Sequence, residues 1–379
     1  MSRTLVVKVG TSLLRGREGQ STEAFMADLA RCLSAERRRG SQVALVTSGA
    51  VGLGCRELQL SQRPELVEEL QAAAAIGQGQ LMGLYDRAFR PYSQTVAQVL
   101  LTRSDLASRR RFLQASRTLI QLLRWGVLPI VNENDTVATE ELRFGDNDTL
   151  SALVAVAIKA DELILLTDVD RLYSSDPRSN VDAEPIKVVR SLQELEALSG
   201  AAGDGGRWGT GGMTTKLAAA RIATASGVAV RLADGRDPTV IEQLLQGSSH
   251  GTRFLPSPEP ISDRKGWLAH ALVPKGQLQV DAGAERALLL KGASLLAVGV
   301  RSVQGDFEAQ APLRILGSSG QELARGLSSC SSRTLQRMLG LRSGTISSTV
   351  DNGLNGVVVH RDQLVITAPP GGPTIPPPL

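Results

Sequence analysis

An α/β fold is what this sequence predicts, and three observations predict it. Short apolar runs alternate with longer helical patterns up to about residue 255, as parallel strands and their crossover helices do. Several of the runs are apolar on both faces, the mark of strands buried inside a parallel sheet. Beyond Leu255 to Ile261, LPSPEPI, the pattern gives way to short runs separated by glycines.

Taken in order, the expected strands are Thr4 to Val9, Gln42 to Thr47, Gln94 to Leu101, Val127 to Val131, Glu162 to Thr167 and Val228 to Leu232. Between them, Thr22 to Glu36, Glu65 to Ala88, Arg110 to Leu123 and Thr214 to Ser226 carry apolar residues at helical spacing, with Phe112, Leu119 and Leu123 on one face. Three prolines in the seven residues LPSPEPI exclude a helix or a central strand and mark a linker. Past it, Leu278 to Val280, Leu295 to Val298, Leu313 to Leu316 and Val357 to Val359 suggest a small β-rich domain. The terminal PPGGPTIPPPL reads as a disordered tail, because proline and glycine bury too little to offset ordering entropy.

The 379 residues, 42% hydrophobic and 21% charged, are enough for two or three domains. Three widely spaced cysteines, Cys32, Cys55 and Cys330, suit neither a disulfide framework nor a zinc cage and fit a reducing cytoplasm. No secretion signal opens the chain, and no apolar run approaches the roughly 18 residues of a membrane span, so a cytoplasmic protein is expected. The net charge of +4 and pI of about 9.1 come from scattered residues, apart from small clusters at Arg37 to Arg39 and Arg109 to Arg111 that read as solvated faces. None of the three histidines adjoins a glycine motif, which argues against histidine chemistry.

Ligands of an open parallel sheet bind beyond the carboxyl ends of its strands. Here those ends read Lys8-Val9-Gly10-Thr11-Ser12, Thr47-Ser48-Gly49-Ala50, Asn132-Glu133-Asn134-Asp135 and Thr167-Asp168. A plain turn accounts for one such glycine, but four polar turns gathered at one edge point to a site. Gly10 and Gly49 allow close backbone approach, and their N–H groups suit phosphate oxygens.

The segment Gly209 to Lys216, GTGGMTTK, runs into a helical pattern, where free N–H groups and a lysine favour phosphate. It does not satisfy the Walker A pattern, and GQGQLMG, Gly77 to Gly83, has the wrong spacing for a dinucleotide fingerprint and reads as a close-packed helix. Of seven lysines against 35 arginines, Lys8 and Lys216 stand beside the two glycine-rich turns. Gly145-Asp146-Asn147-Asp148 opens another helical pattern, Leu150 to Ile158. One of its polar residues serves as a helix cap. The rest suit an acid that holds Lys8 and Lys216, with Asn147 and Asp135 on a zwitterionic substrate.

Together VVKVGTS, VTSGA, VNENDTVA, FGDNDTLSA, LLTDVDRLYSSDPR and GTGGMTTK, in this order, resemble the amino-acid kinase family, and NEND with GDND narrows the resemblance to its glutamate-phosphorylating branch. The segment from about Gly276 to Arg361 looks like a PUA domain. The resemblance implies a three-layer αβα sandwich with a mainly parallel sheet at 1–255, a linker at 256–275, a PUA-like domain at 276–365 and a tail at 366–379. It implies ATP, Mg2+ carried by the ATP phosphates, and L-glutamate as acceptor. Lys8, Lys216 and Asp148 take the catalytic positions; Ser48, Asp135 and Asn147 take the substrate positions. Lys8, Gly10, Thr167, Asp168, Thr210, Gly211, Gly212, Met213, Thr214, Thr215 and Lys216 take those of the nucleotide. Feedback inhibition by proline and a homodimer or tetramer are family habits. Two departures stand out: VDRLY lacks the usual glycine before LY, and Glu69 occupies a commonly basic place in the region tied to proline. The alternatives are a related kinase with another carboxylate substrate and an RNA-binding or regulatory protein acting through the PUA-like domain. From Gly276 on, nine basic against seven acidic residues form no stripe.

Overall fold

A computed structural model describes residues 3–14, 21–102, 105–106, 109–137, 147–175, 177, 180–201, 212–260, 274–339 and 356–367. Most of the expected linker and tail, 261–273 and 368–379, lies outside these. The chain forms two compact units, Met1–Ile261 and Ser262–Leu379.

In the first unit the strands are β1 (Thr4–Val9), β2 (Gln42–Val46), β3 (Val96–Leu101), β4 (Leu128–Glu133), β5 (Glu162–Thr167), β6 (Leu172–Tyr173), β7 (Pro185–Ile186), β8 (Val188–Val189), β9 (Ala229–Asp234) and β10 (Thr252–Phe254). Eight of them make one sheet in the order β3-β4-β2-β1-β5-β9-β10-β8. Its first six strands are all parallel, and only β9 and β10 pair antiparallel. The helices are α1 (Thr11–Leu14), α2 (Thr22–Arg38), α3 (Ala50–Glu57), α4 (Val67–Phe89), α5 (Arg109–Arg124), α6 (Asn147–Ala157), α7 (Leu192–Ala201), α8 (Gly212–Ala225) and α9 (Val240–Leu245).

Strand residues alternate between faces, and the burial follows that period. Leu5, Val7 and Val9 of β1 face one core with Leu45, Ile130 and Ile164, covered by Phe25, Met26, Leu29 and Leu33 of α2 and Leu81, Tyr85 and Phe89 of α4. The other face is covered by α5, α6 and α8. Helices on both faces make the three-layer αβα sandwich and explain why β5 is buried along its whole length. Phe112, Leu119 and Leu123 of α5 are buried, as their spacing predicts. Ser21 caps α2, its Oγ accepting from Ala24 N at 3.2 Å.

Two strands run further than their apolar runs suggest. Glu133 and Asp234 remain in the ladder because their neighbours Leu101 and Thr167 continue it. In contrast, the third strand starts at Val96, two residues late, because Gln94 Nε2 turns to Thr95 O and Gly126 O. In α4, Gly77 lies so close to α3 that a Cβ there would fall 1.9 Å from Ala50 O, confirming the close-packed reading of GQGQLMG. No helix among the described residues is long and apolar enough to cross a membrane.

The second unit has strands β11 (Gly276–Val280), β12 (Leu295–Leu296), β13 (Val300–Gln304), β14 (Pro312–Leu316), β15 (Glu322–Leu327), β16 (Val357–Val359) and β17 (Leu364–Ile366), with helices α10 (Ala282–Lys291) and α11 (Ser332–Met338). Its main sheet has the order β13-β11-β14-β15-β17, and β12 pairs with β16. Leu278, Val280, Leu288, Leu313, Ile315, Leu335 and Val358 belong to a core of its own. The expected run Leu295 to Val298 is corrected to a two-residue strand followed by a 3-10 turn at Ala297–Gly299. Strands β13 and β15 escaped the sequence reading because they mix polar residues into partly buried runs, and β17 because its apolar run is three residues long.

Candidate active site

Strand order places a topological switch between β1 and β5. From β1 the chain moves to β2 on one side, and from β5 to β9 on the other, opening a crevice at the carboxyl ends of the adjacent pair. Lys8 is the penultimate residue of β1, in register with Val46 and Leu165, so its side chain starts at that edge. Asn147 and Asp148 open α6 at the same edge, and Lys216 lies one turn into α8.

The carboxylate of Asp148 is fully buried and bridges two lysines. Lys8 Nζ pairs with its Oδ1, and Lys216 Nζ reaches Oδ2 at 3.1 Å. Thr215 Oγ1 donates to the same Oδ2 at 3.1 Å, and Lys216 Nζ also donates to Gly212 O at 3.0 Å. A buried carboxylate is tolerated only when paired and hydrogen-bonded, which the lysines and threonine achieve. Two lysines on one carboxylate leave a formal surplus of one positive charge. That surplus, at a helix N-terminus, suits a phosphoryl group carrying several negative oxygens.

Beside this triad is a cavity of about 240 Å³ whose wall mixes polar and apolar groups. It is smaller than the roughly 300 Å³ at which pockets for drug-sized ligands begin and suits a small metabolite. Ser48, Asn132, Asp135 and Asn147 line it, and Thr11 joins it to the end of β1. Buried Asn147 shares its Nδ2 among Thr47 O at 2.5 Å, Asn132 Oδ1 at 2.7 Å and Ser48 Oγ at 3.0 Å. Its Oδ1 meets no donor among the described residues. An orphaned buried acceptor costs free energy unless a ligand supplies the missing donor. Asn132 receives further support by donating to Gln78 Oε1 at 2.8 Å.

Gly49 caps α3 with φ of +105°, a backbone state glycine alone adopts cheaply, and this turn brings Ser48 to the cavity wall. The hydroxyl of buried Tyr85 holds Thr47 Oγ1 at 2.8 Å and fixes the end of β2. Burial raises the Tyr85 pKa, so this phenol stays neutral. Burial likewise pushes the Asp135 carboxyl up to about 6, against the opposing pull of the Arg63 charge.

Of the sequence-predicted residues, Lys8, Asp148 and Lys216 are brought into one ion-paired cluster, and Ser48, Asp135 and Asn147 into the adjoining cavity. Gly10 abuts this cluster: a Cβ there would lie 3.7 Å from Lys8 Nζ. Thr167 is buried at the end of β5, its Oγ1 donating to exposed Asp168 at 3.1 Å. Gly212, Met213, Thr214 and Thr215 form the first turn of α8. Thr210, Gly211, Gly145 and Asp146 lie outside the described residues. The sequence reading missed Gln78, which carries no signal inside a helix, and the supporting role of Asn132, although NEND displays it. It also missed Arg236, past the end of β9, whose guanidinium is charge-stabilised first by Asp234 and more weakly by Asp168 and Asp170.

This sheet and site define a class, the small-molecule kinases of αβα architecture, which set paired cations at the carboxyl edge of a parallel sheet beside an acceptor pocket. The sequence profile of the Amino acid kinase family matches residues 3–234, and that of the PUA domain matches residues 276–348. A glutamate 5-kinase of Prochlorococcus marinus (strain MIT 9313) is 63% identical over 95% of this chain and 98% of its own length. One from Synechococcus sp. (strain CC9605) is 60% identical over the same shares, and one from Trichormus variabilis is 52% identical over 97% and 100%. Among solved structures, carbamate kinase from Giardia lamblia bound to AMP-PNP superposes with a TM-score of 0.51 at 17% identity, covering 68% of this chain and 99% of that one, a likeness of fold. The chain belongs to the amino acid kinase family and, within it, to the glutamate 5-kinases.

Proposed function

We propose that this chain transfers the γ-phosphoryl group of Mg–ATP to the side-chain carboxylate of L-glutamate, giving ADP and L-glutamyl 5-phosphate, the first step of proline biosynthesis. The observation that carries this reading is the bridge from Lys8 through Asp148 to Lys216 beside a small cavity. Bringing two anions together is the main obstacle to such a transfer, and a carboxylate at pH 7 needs no general base. The γ-carboxylate attacks the γ-phosphorus in line, the phosphorus–oxygen bond to ADP breaks, and the lysines offset the charge spread over the moving group. Asp148 positions both cations, Ser48 and Asn147 orient the acceptor, and Asp135 receives its ammonium group.

Thr167, Asp168 and the segment from Thr210 to Lys216 take the nucleotide, with Mg2+ held by its phosphates. The kinase domain is placed at 1–255, the linker at 256–275 and the PUA-like domain from 276 through β17, with the tail beginning after Thr367 rather than at 366, because Ile366 pairs with Ala324 and Thr367 bonds to Leu323. Proline as a feedback inhibitor, a homo-oligomeric assembly and a cytoplasmic location complete the reading, as the family resemblance implies. A coupled ADP-release assay with L-glutamate, L-aspartate and N-acetyl-L-glutamate tests it. Turnover is expected with glutamate, and a preference for either other acid overturns the assignment.

A further inference from the structure

The cavity beside the lysine triad must hold an amino acid with three charges, and its wall offers charges at one end that the reaction does not use. On the reading above, the γ-carboxylate lies toward Lys8, which leaves the α-ammonium and α-carboxylate at the end away from the phosphates. Asp135 lines the cavity after β4, and Arg63 lines it from the segment between α3 and α4. The two are close enough for the Arg63 charge to act on the Asp135 carboxyl. Among the described residues lining the cavity, Arg63 is the one cation. No hydrogen bond or ion pair ties it to another described residue, and its side chain is exposed at the rim.

Resting on the function proposed above, we infer that Arg63 is a specificity-determining residue that pairs with the α-carboxylate of the amino-acid substrate while Asp135 pairs with its ammonium. An acid and a guanidinium in the wall of one cavity match the opposite charges that flank the α-carbon. Guanidinium binds carboxylates in a planar, two-pronged geometry, so the pair selects a free α-amino acid over an acid with a blocked α-carboxyl group. Substrate entry removes water from the Arg63 rim position and strengthens a contact that is weak when solvated. The same segment carries Leu60 and Gln62 into the cavity wall.

The test uses the full-length enzyme, with L-glutamate and its α-amide, which keeps the γ-carboxylate but lacks the α-carboxylate charge. Arg63→Ala is expected to raise the KM for glutamate about ten- to a hundredfold, the usual range for a lost charge-assisted contact, with kcat and the KM for ATP within about threefold. Turnover of the α-amide is expected to be alike in the wild-type enzyme and the variant, so discrimination between the two substrates collapses. Arg63→Lys should recover part of it, and Arg63→Gln, which keeps a polar side chain without the charge, should behave like alanine. An unchanged KM for glutamate, or equal losses on both substrates, overturns the role of Arg63. Wild-type enzyme inactive on glutamate would instead defeat the underlying functional reading.

Discussion

Lys8 and Lys216 approach different oxygens of the same buried carboxylate, that of Asp148, from the end of the first strand and the second turn of a distant helix. Neither lysine alone defines a phosphoryl site. Held together they carry more positive charge than Asp148 cancels, in surroundings dry enough for that charge to act at full strength.

Removing either cation should therefore slow the chemical step. Lys8→Ala and Lys216→Ala are each expected to lower kcat by roughly 10² or more, the scale of losing a preorganised charge donor. Steady-state kinetics with saturating glutamate and ATP check this. Near-normal turnover in either variant removes that lysine from the mechanism.

Asp148→Asn keeps the shape and deletes the negative charge that Lys8, 4% exposed, and half-buried Lys216 share. Breaking a buried pair in this way costs about 3–5 kcal/mol. A lowered midpoint in thermal unfolding is expected, partly restored by Mg–ATP because the phosphates supply the missing negative charge. A variant as stable as the wild type would show that the triad is not an electrostatic unit.

The acceptor pocket should respond to pH. Asp135 has its carboxyl pushed up to about 6, so below that pH the free enzyme carries it mostly neutral and offers the substrate ammonium no counter-charge. Glu133 and Arg63 line the same cavity, and the Arg63 charge opposes the rise that burial causes. The KM for glutamate is expected to rise as pH falls through about 6, and Asp135→Asn should raise it at pH 7.5 while flattening the profile. Asp135→Ala should raise the glutamate KM with little change in the ATP KM. A change confined to the KM for ATP contradicts the assignment.

The α3–α4 contact gives a stability prediction with its own control. Gly77→Ala places a methyl group 1.9 Å from Ala50 O, so the helices must part, at a cost of about 1–3 kcal/mol. Gly79→Ala, two residues on in the same helix, meets nothing within 4 Å and should stabilise by about 0.5–1 kcal/mol. Urea unfolding of both variants measures the difference. Because α3 begins at Ala50 on the cavity wall, Gly77→Ala should also raise the KM for glutamate.

The sheet was legible because Leu5 to Val7 and Leu163 to Leu166 are apolar without interruption and alternate with helical patterns, and a parallel sheet covered on both faces buries both sides of such runs. The positions of Lys8, Ser48 and Asp135 followed, since a strand that ends abruptly in polar residues puts them at its carboxyl edge. Helix α3 was missed because its eight residues include two glycines and span too few turns to show a period, and β13 because its polar residues are supported by neighbours remote in sequence, Arg301 by Asp281 and Ser302 by Gln279.

What the sequence by itself determined is which chemistry is present: two lysines among many arginines, each beside a glycine-rich turn, and an acid after NEND and GDND to hold them. Only tertiary structure decided how these meet. The parallel register of β1, β2 and β5 brings their ends level, α6 delivers Asp148 between Lys8 and Lys216, and Arg63 and Asp135 come to line one cavity. The physical reason is that charge and hydrogen bonding act through space over a few ångströms, and spacing along a chain does not fix those distances until the layers pack.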